Sequence, residues 1–140
     1  MTDPIFPCIW FDKGAKEAAD FYCSVFKNSK IIEDNPMVVT FELNGKKFIG
    51  LNGNAQFAFN DSISFVVNCD TQEEIDHYWE QLTKDGQENM CGWLKDKYGV
   101  SWQIVPTLLM ELLNNAEKTE KIIATFMKMK KLDISKLLEA

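Results

Sequence analysis

Apolar positions along this chain follow two rhythms, one of strands and one of helices, and the same order of rhythms occurs twice. Ile5 to Phe11 is mostly apolar and predicts a strand that breaks at Asp12-Lys13-Gly14. From about Ala15 to Phe26 the period becomes helical, with Ala15, Ala18, Ala19, Tyr22, Val25 and Phe26 on one stripe. Three short strand-like runs follow, Lys30–Glu33, Met37–Leu43 and Lys46–Leu51, and Asn44-Gly45 marks a hairpin turn between the last two. The order then repeats. Ser62 to Asn68 predicts a strand. Thr71 and Glu74 have the spacing of a capping box, and the helix they open runs to about Lys84, with Ile75, Trp79 and Leu82 facing a core. Strands are expected at Glu88–Leu94 and Ser101–Val105, separated by the loop Asp96–Val100.

The two helices also correspond in detail. Glu74, Tyr78 and Trp79 stand 57 positions after Glu17, Phe21 and Tyr22. The pattern therefore predicts an α+β fold of two βαβββ modules, about 4–54 and 60–106, forming one domain over residues 1–106, with one strand of the second module less obvious than in the first. A helix covers one face of each small sheet, and the other face needs a partner. The expectation is that the two sheets curve around a shared cleft. The alternative is an α+β sandwich without a cavity. Residues 107–140 read as a helical extension, with helices at Leu108–Asn114, Glu117–Lys130 and Ile134–Leu138. Whether they pack on the sheet exterior or across a dimer contact is open at this stage.

Composition narrows the function classes. The chain has 140 residues, 46% of them hydrophobic and 12% aromatic, enough for a packed core. Its formal net charge of -6 argues against nucleic acid and anionic membranes as partners. Lys128, Lys130 and Lys131 form the one basic cluster and read as a solvated helix face. Residues 1–7 show no leader-peptide pattern, and no run approaches the roughly 18 apolar residues of a membrane span, so a cytoplasmic location is expected. Cys8, Cys23, Cys69 and Cys91 form no CxxC pair and are expected as free thiols.

The run from Cys91 through Gly92, Trp93, Leu94, Lys95, Asp96, Lys97, Tyr98, Gly99, Val100, Ser101, Trp102, Gln103, Ile104 and Val105 to Pro106 closely resembles a signature of the PhnB-like family. That family carries the label 3-demethylubiquinone-9 3-methyltransferase and is a branch of the vicinal-oxygen-chelate, or glyoxalase/bleomycin-resistance, superfamily. Trp10-Phe11-Asp12 with Phe21-Tyr22, Leu51-Asn52-Gly53, Phe59-Asn60 leading into Ser62-Ile63-Ser64-Phe65, Asp76-x-x-Trp79, and Met129 to Ile134 are similar to the same family. The resemblance implies paired βαβββ modules and a homodimer, but no single reaction. The methyltransferase label sits poorly with the residues. The one glycine-rich stretch, Gly50 to Gly53, opens no helix of a βαβ unit.

The resemblance also implies four metal ligands, two per module, from the first and last strands. Those positions fall on Pro7, Ile49, Ser62 and Gln103, of which only Gln103 has the expected donor type. The single histidine, His77, belongs to the solvent face of its helix. No metal and no cofactor are therefore expected. Strand alternation from Gln103 places Ser101 and Val105 on the cleft face and sends Trp102 and Ile104 to the helix layer. Likewise Ser62, Ser64 and Val66 face the cleft, with Ile63, Phe65 and Val67 in the core. Asp61 and Asp96 read as solvated or turn-forming loop residues, and Cys91 as an inert thiol in a strand. Trp10 and Trp102 read as core, and Trp93 as either core or ligand-stacking. The candidate ligand-binding residues are thus Gln103, Ser62, Ser64, Ser101, Trp93 and Cys91, and no catalytic residue stands out. Two functions remain: a metal-independent binder of a small, partly apolar molecule, or an enzyme of unknown reaction whose donors come from a partner subunit or cofactor.

Overall fold

In the computed structural model, which describes residues 4–54 and 57–140, the chain divides into two compact units, Met1–Ala58 and Phe59–Ala140. The first contains β1 (Cys8–Phe11), α1 (Ala15–Val25), β2 (Lys30–Asp34), β3 (Val38–Leu43) and β4 (Lys46–Asn52). Its sheet has the order β1-β4-β3-β2, with β1 parallel to β4 and the other pairs antiparallel. Alternation along β3 is strict: Val39, Phe41 and Leu43 are buried toward α1, while Val38, Thr40 and Glu42 are half-buried on the opposite, open face. Ala15, Ala18 and Ala19 are fully buried, and these small side chains let the helix lie close to the sheet. A Cβ added at Gly50 would stand 3.2 Å from that of Ala15. Asn44-Gly45 turns the β3–β4 hairpin with both residues at positive φ, 51° and 79°.

Capping of α1 comes from far along the chain. Its N-cap, Gly14, has no side chain, and the Ala15 amide instead donates to Asn52 Oδ1 at 2.9 Å. Asn52 also donates through Nδ2 to the Pro36 carbonyl at 3.2 Å, which ties the end of β4 to the turn before β3.

The second unit contains β5 (Phe65–Cys69), α2 (Gln72–Thr83), β6 (Gln87–Glu88), β7 (Trp93–Lys95) and β8 (Ser101–Pro106). The order β5-β8-β7-β6, with β5 parallel to β8, repeats the first sheet. The Thr71 hydroxyl accepts from the Glu74 amide at 3.2 Å, as the capping-box spacing predicts, and Ile75, Trp79 and Leu82 are buried. The indistinct strand region resolves into two strands. The run expected at Glu88–Leu94 is broken by a turn in which Cys91 and Gly92 take φ of 64° and 83°. Trp93 donates back to the Met90 carbonyl at 3.1 Å, closing that turn. Cys91 is therefore a turn residue and not a strand residue. The strand expected from Ser62 begins only at Phe65, because Asn60 Oδ1 accepts from the Ser62 amide at 2.9 Å and keeps the chain turning. Ile63 is consequently 76% exposed and not in the core.

The extension forms α3 (Leu108–Leu113), α4 (Thr119–Phe126) and α5 (Ile134–Glu139), all within the second unit. Leu109, Ile122, Leu132 and Leu137 make a small core of their own, against which Val105 of β8 also packs. Gln72 fastens the last segment, donating to the Leu132 carbonyl at 3.0 Å and accepting from the Ile134 amide at 2.8 Å. Helix α4 ends at Phe126, so Lys128, Lys130 and Lys131 lie in a non-helical strap and not on a helix face. The Met129 and Lys130 carbonyls accept from the Cys91 and Gly92 amides at 2.7 and 2.8 Å. No helix among the described residues is long and apolar enough to cross a membrane.

Candidate functional site

One face of the second sheet packs on α2 through Leu94, Trp102 and Ile104, each at most 3% exposed. Strand register sets the residues of the other face. Gln103 is paired with Val66 on one side and Trp93 on the other, and Ser101 is paired with Lys95. This open face is where polar chemistry gathers. Gln103 Nε2 donates to Ser64 Oγ at 2.9 Å. Ser101 Oγ donates to Asp61 Oδ1 at 2.7 Å, and Lys95 Nζ lies 3.7 Å from the same oxygen. Trp93 is half-buried beside Gln103, and Val66 is 55% exposed. Because Val105 packs against the C-terminal core, the extension bounds this face at one end.

The six candidate residues do not all come together. Gln103, Ser64, Ser101 and Trp93 share the face, although Ser101 is only 2% exposed. Ser62 is exposed in the turn before β5. Cys91 is half-buried in the β6–β7 turn, with its amide committed to the strap. Asp61 and Lys95 belong to the set as well. Asp61 looked like an ordinary loop residue because its partner, Ser101, is 40 positions away and meets it only through the β5–β8 pairing.

Asp96 changes character more sharply. It does form a turn, but it is 3% exposed and not solvated. Its carboxylate accepts from the amides of Tyr98 and Val100 at 2.9 and 3.1 Å and from Trp102 Nε1 at 2.9 Å. That makes Asp96 the post on which the β7–β8 loop is wound. The loop's Gly99 takes φ of 92°, a conformation glycine adopts without strain.

In the first unit, Cys8 and Trp10 of β1 are paired with Ile49 and Leu51 on the open face. The strand neighbour of Ile49 there is Cys8, not Pro7, which lies before the strand and accepts from the Ile49 amide through its carbonyl at 3.0 Å. Trp10 is half-buried, tilted against Phe57, and its indole N–H has no partner among the described residues.

The metal that the superfamily implies does not suit these side chains. Ile49 and Val66, the open-face residues beside Cys8 and Gln103, are aliphatic, and partial desolvation pushes the largely exposed Cys8 thiol up, away from the thiolate that would ligate. No group of three or more His, Cys, Asp or Glu residues placed to hold a metal ion occurs among the described residues. His77 is exposed on α2, its ring against Tyr78.

Residues 3–105 match the family described as 3-demethylubiquinone-9 3-methyltransferase. Among solved structures, a PhnB protein from Bacillus cereus bearing that same label is 35% identical, with 75% of this chain and 100% of that one covered at a TM-score of 0.69. The fosfomycin resistance protein FosX from Listeria monocytogenes, in complex with Mn(II) and sulfate ion, is 14% identical over 80% of this chain and 96% of its own, at a TM-score of 0.60. A glyoxalase/bleomycin resistance protein/dioxygenase from Alicyclobacillus acidocaldarius is 14% identical over 73% and 89%, at 0.50. No curated protein matches the chain. By sequence and fold together, the chain belongs to the PhnB-like family labelled 3-demethylubiquinone-9 3-methyltransferase, within the vicinal-oxygen-chelate superfamily.

Proposed function

We propose that this protein binds a small organic molecule on the open face of the second sheet, and does so without a divalent metal ion. The observation that carries the reading is the side-chain set on that face. Gln103, steadied by Ser64, offers a carboxamide with hydrogen-bonding capacity left over, since Nε2 has two hydrogens and the oxygen two lone pairs. Trp93 and Val66 supply apolar surface on either side of it. A few convergent polar groups among apolar ones is the usual make-up of a small-molecule site. The expected ligand is partly apolar with one hydrogen-bonding head. The reading includes a cytoplasmic, homodimeric protein, supported by its acidic composition and by exposed apolar residues outside the ligand face such as Ile63 and Met110.

An enzymatic reading has one observation in its favour, the Ser101–Asp61 contact, which has the reach of a nucleophile and base. At 2% exposure the Ser101 hydroxyl is too enclosed to meet a substrate, which favours binding over acyl transfer. The family's methyltransferase label has weaker support. Gly50 lies within β4 against Ala15 and Phe11, and Gly53 lies against the Trp10 indole, so both serve packing and leave no cradle for a cofactor.

The test uses 8-anilinonaphthalene-1-sulfonate, an aromatic probe with a polar head. Its fluorescence should rise saturably with the protein, persist in EDTA, and fall in Gln103→Ala and Trp93→Ala. Saturable binding that neither substitution weakens would place the ligand elsewhere. Near-stoichiometric Zn, Mn, Fe or Ni in protein purified without added metal or chelator would remove the metal-independent part of the reading.

A further inference from the structure

The strap that follows α4 does more than tie the extension down. With the first turn of α2 and the start of α5 it encloses an open cavity of about 470 Å³. Four lysines are among its lining residues, Lys128, Lys130, Lys131 and Lys136, with two aspartates, Asp76 and Asp133. The local balance is 4 − 2 = +2 on a chain whose total is -6, so the rest of the protein carries -8. One lysine is already matched, since Lys131 Nζ is 2.8 Å from Asp76 Oδ1. Asp133 is engaged as the N-cap of α5, accepting from the Lys136 amide at 3.2 Å. Among the described residues, Lys128, Lys130 and Lys136 have no carboxylate within ion-pair distance.

The backbone that carries these lysines is held in place by hydrogen bonds. The Met129 and Lys130 carbonyls are hydrogen-bonded to the β6–β7 turn, and Gln72 holds the chain at Leu132 and Ile134. Like charges gathered on a fixed backbone repel one another, and an anion between them relieves that repulsion. The volume lies in the range of small-molecule sites, about 300–1,000 Å³. The surrounding charge of opposite sign disfavours a long polyanion such as nucleic acid, whose further phosphates would face an acidic surface.

We propose that this cavity is a second binding site, for a small molecule carrying a phosphoryl or equally charged group, gripped by Lys128, Lys130 and Lys136. It involves none of the residues of the Gln103 face, so the two sites are independent.

The probe is inorganic pyrophosphate, titrated into the full chain and followed by amide shifts in two-dimensional NMR. The expected result is saturable shifts confined to residues 128–136 and the first turn of α2, with affinity falling as salt rises. Removing three exposed ammonium groups at once, in K128A/K130A/K136A, should weaken binding by about tenfold. Lys136→Gln alone should weaken it less, and Gln103→Ala should leave it unchanged. Urea unfolding of each variant, matching the parent, confirms that the fold is intact. Shifts that do not saturate, that spread over lysines elsewhere on the surface, or that persist in both lysine variants would overturn the proposal.

Discussion

Replacing Asp96 tests whether the β7–β8 loop is built around a buried carboxylate. Asp96→Ala removes the acceptor for two buried donors, the Val100 amide and the Trp102 indole, and for the part-buried Tyr98 amide. A buried donor left without a partner costs about 1–3 kcal/mol. Two such donors, with water reaching the third, put the loss at about 3–5 kcal/mol. Domains of ordinary stability have about 5–15 kcal/mol in total, so the variant should be visibly weakened. Asp96→Asn keeps one oxygen for the two amides but sets an N–H₂ against the indole N–H, and should cost about half as much. Urea unfolding followed by tryptophan fluorescence measures both, and a slope of about 1.5 kcal/mol/M converts the larger loss into a midpoint shift of about 2–3 M. An Asp96→Ala protein within about 0.5 kcal/mol of the parent would refute the reasoning, because that is the range of ordinary surface substitutions. So would an Asn variant weaker than the Ala variant.

Three further outcomes follow from the same geometry. Asn52→Ala should destabilise the first unit by about 1–2 kcal/mol through loss of the α1 cap, and Asn52→Asp by less, since a carboxylate oxygen still accepts from Ala15; equal losses in chemical denaturation would count against the cap. The Cys69 thiol, fully buried and near Glu74 and Asp70, is pushed up to about 12, so at pH 8 iodoacetamide should label it far more slowly than exposed Cys8; mass spectrometry showing equal rates would contradict this. Hydrogen bonds from Lys131 and then Gln72 hold the Asp76 carboxyl below its ordinary value. A lowered folded-state value means that its contribution is present above the unfolded carboxylate range and is lost as the pH falls through the folded one. Carboxyl NMR titration should place the Asp76 midpoint below that of a free aspartate, and Lys131→Ala should raise it; the accompanying stability change is small because the pair is exposed.

Where the fold was legible in the sequence, the signal was local. The alanine stripe at Ala15, Ala18 and Ala19 is a periodicity within one helix, and it ends buried on the sheet as the stripe requires. Thr71 with Glu74 is a four-residue motif, and its bond is present. The second module's divided strand was obscured because Cys91 adopts a left-handed conformation that side chains other than glycine rarely take, and no residue before it announces the turn. Asn60 delayed β5 in a similar way: an Asx turn competes with extension, and Ser62-Ile63-Ser64 alternates well enough to look like strand.

By itself the sequence determined the repeat, the helix faces and the alternation that sends Trp102 and Ile104 one way and Gln103 the other, because each is set by periods of two or 3.6 residues along a single element. Only the tertiary structure decided which side chains meet. Asp61 reaches Ser101 through the β5–β8 register, Asn52 crosses 37 positions to cap α1, and buried Asp96 accepts from a tryptophan six residues away. The lysines of the strap gather around one cavity because carbonyls of that strap pair with a turn some 38 positions earlier. Such pairings depend on strand register and on where the chain returns, which hydrophobic patterning constrains only by face and never by partner.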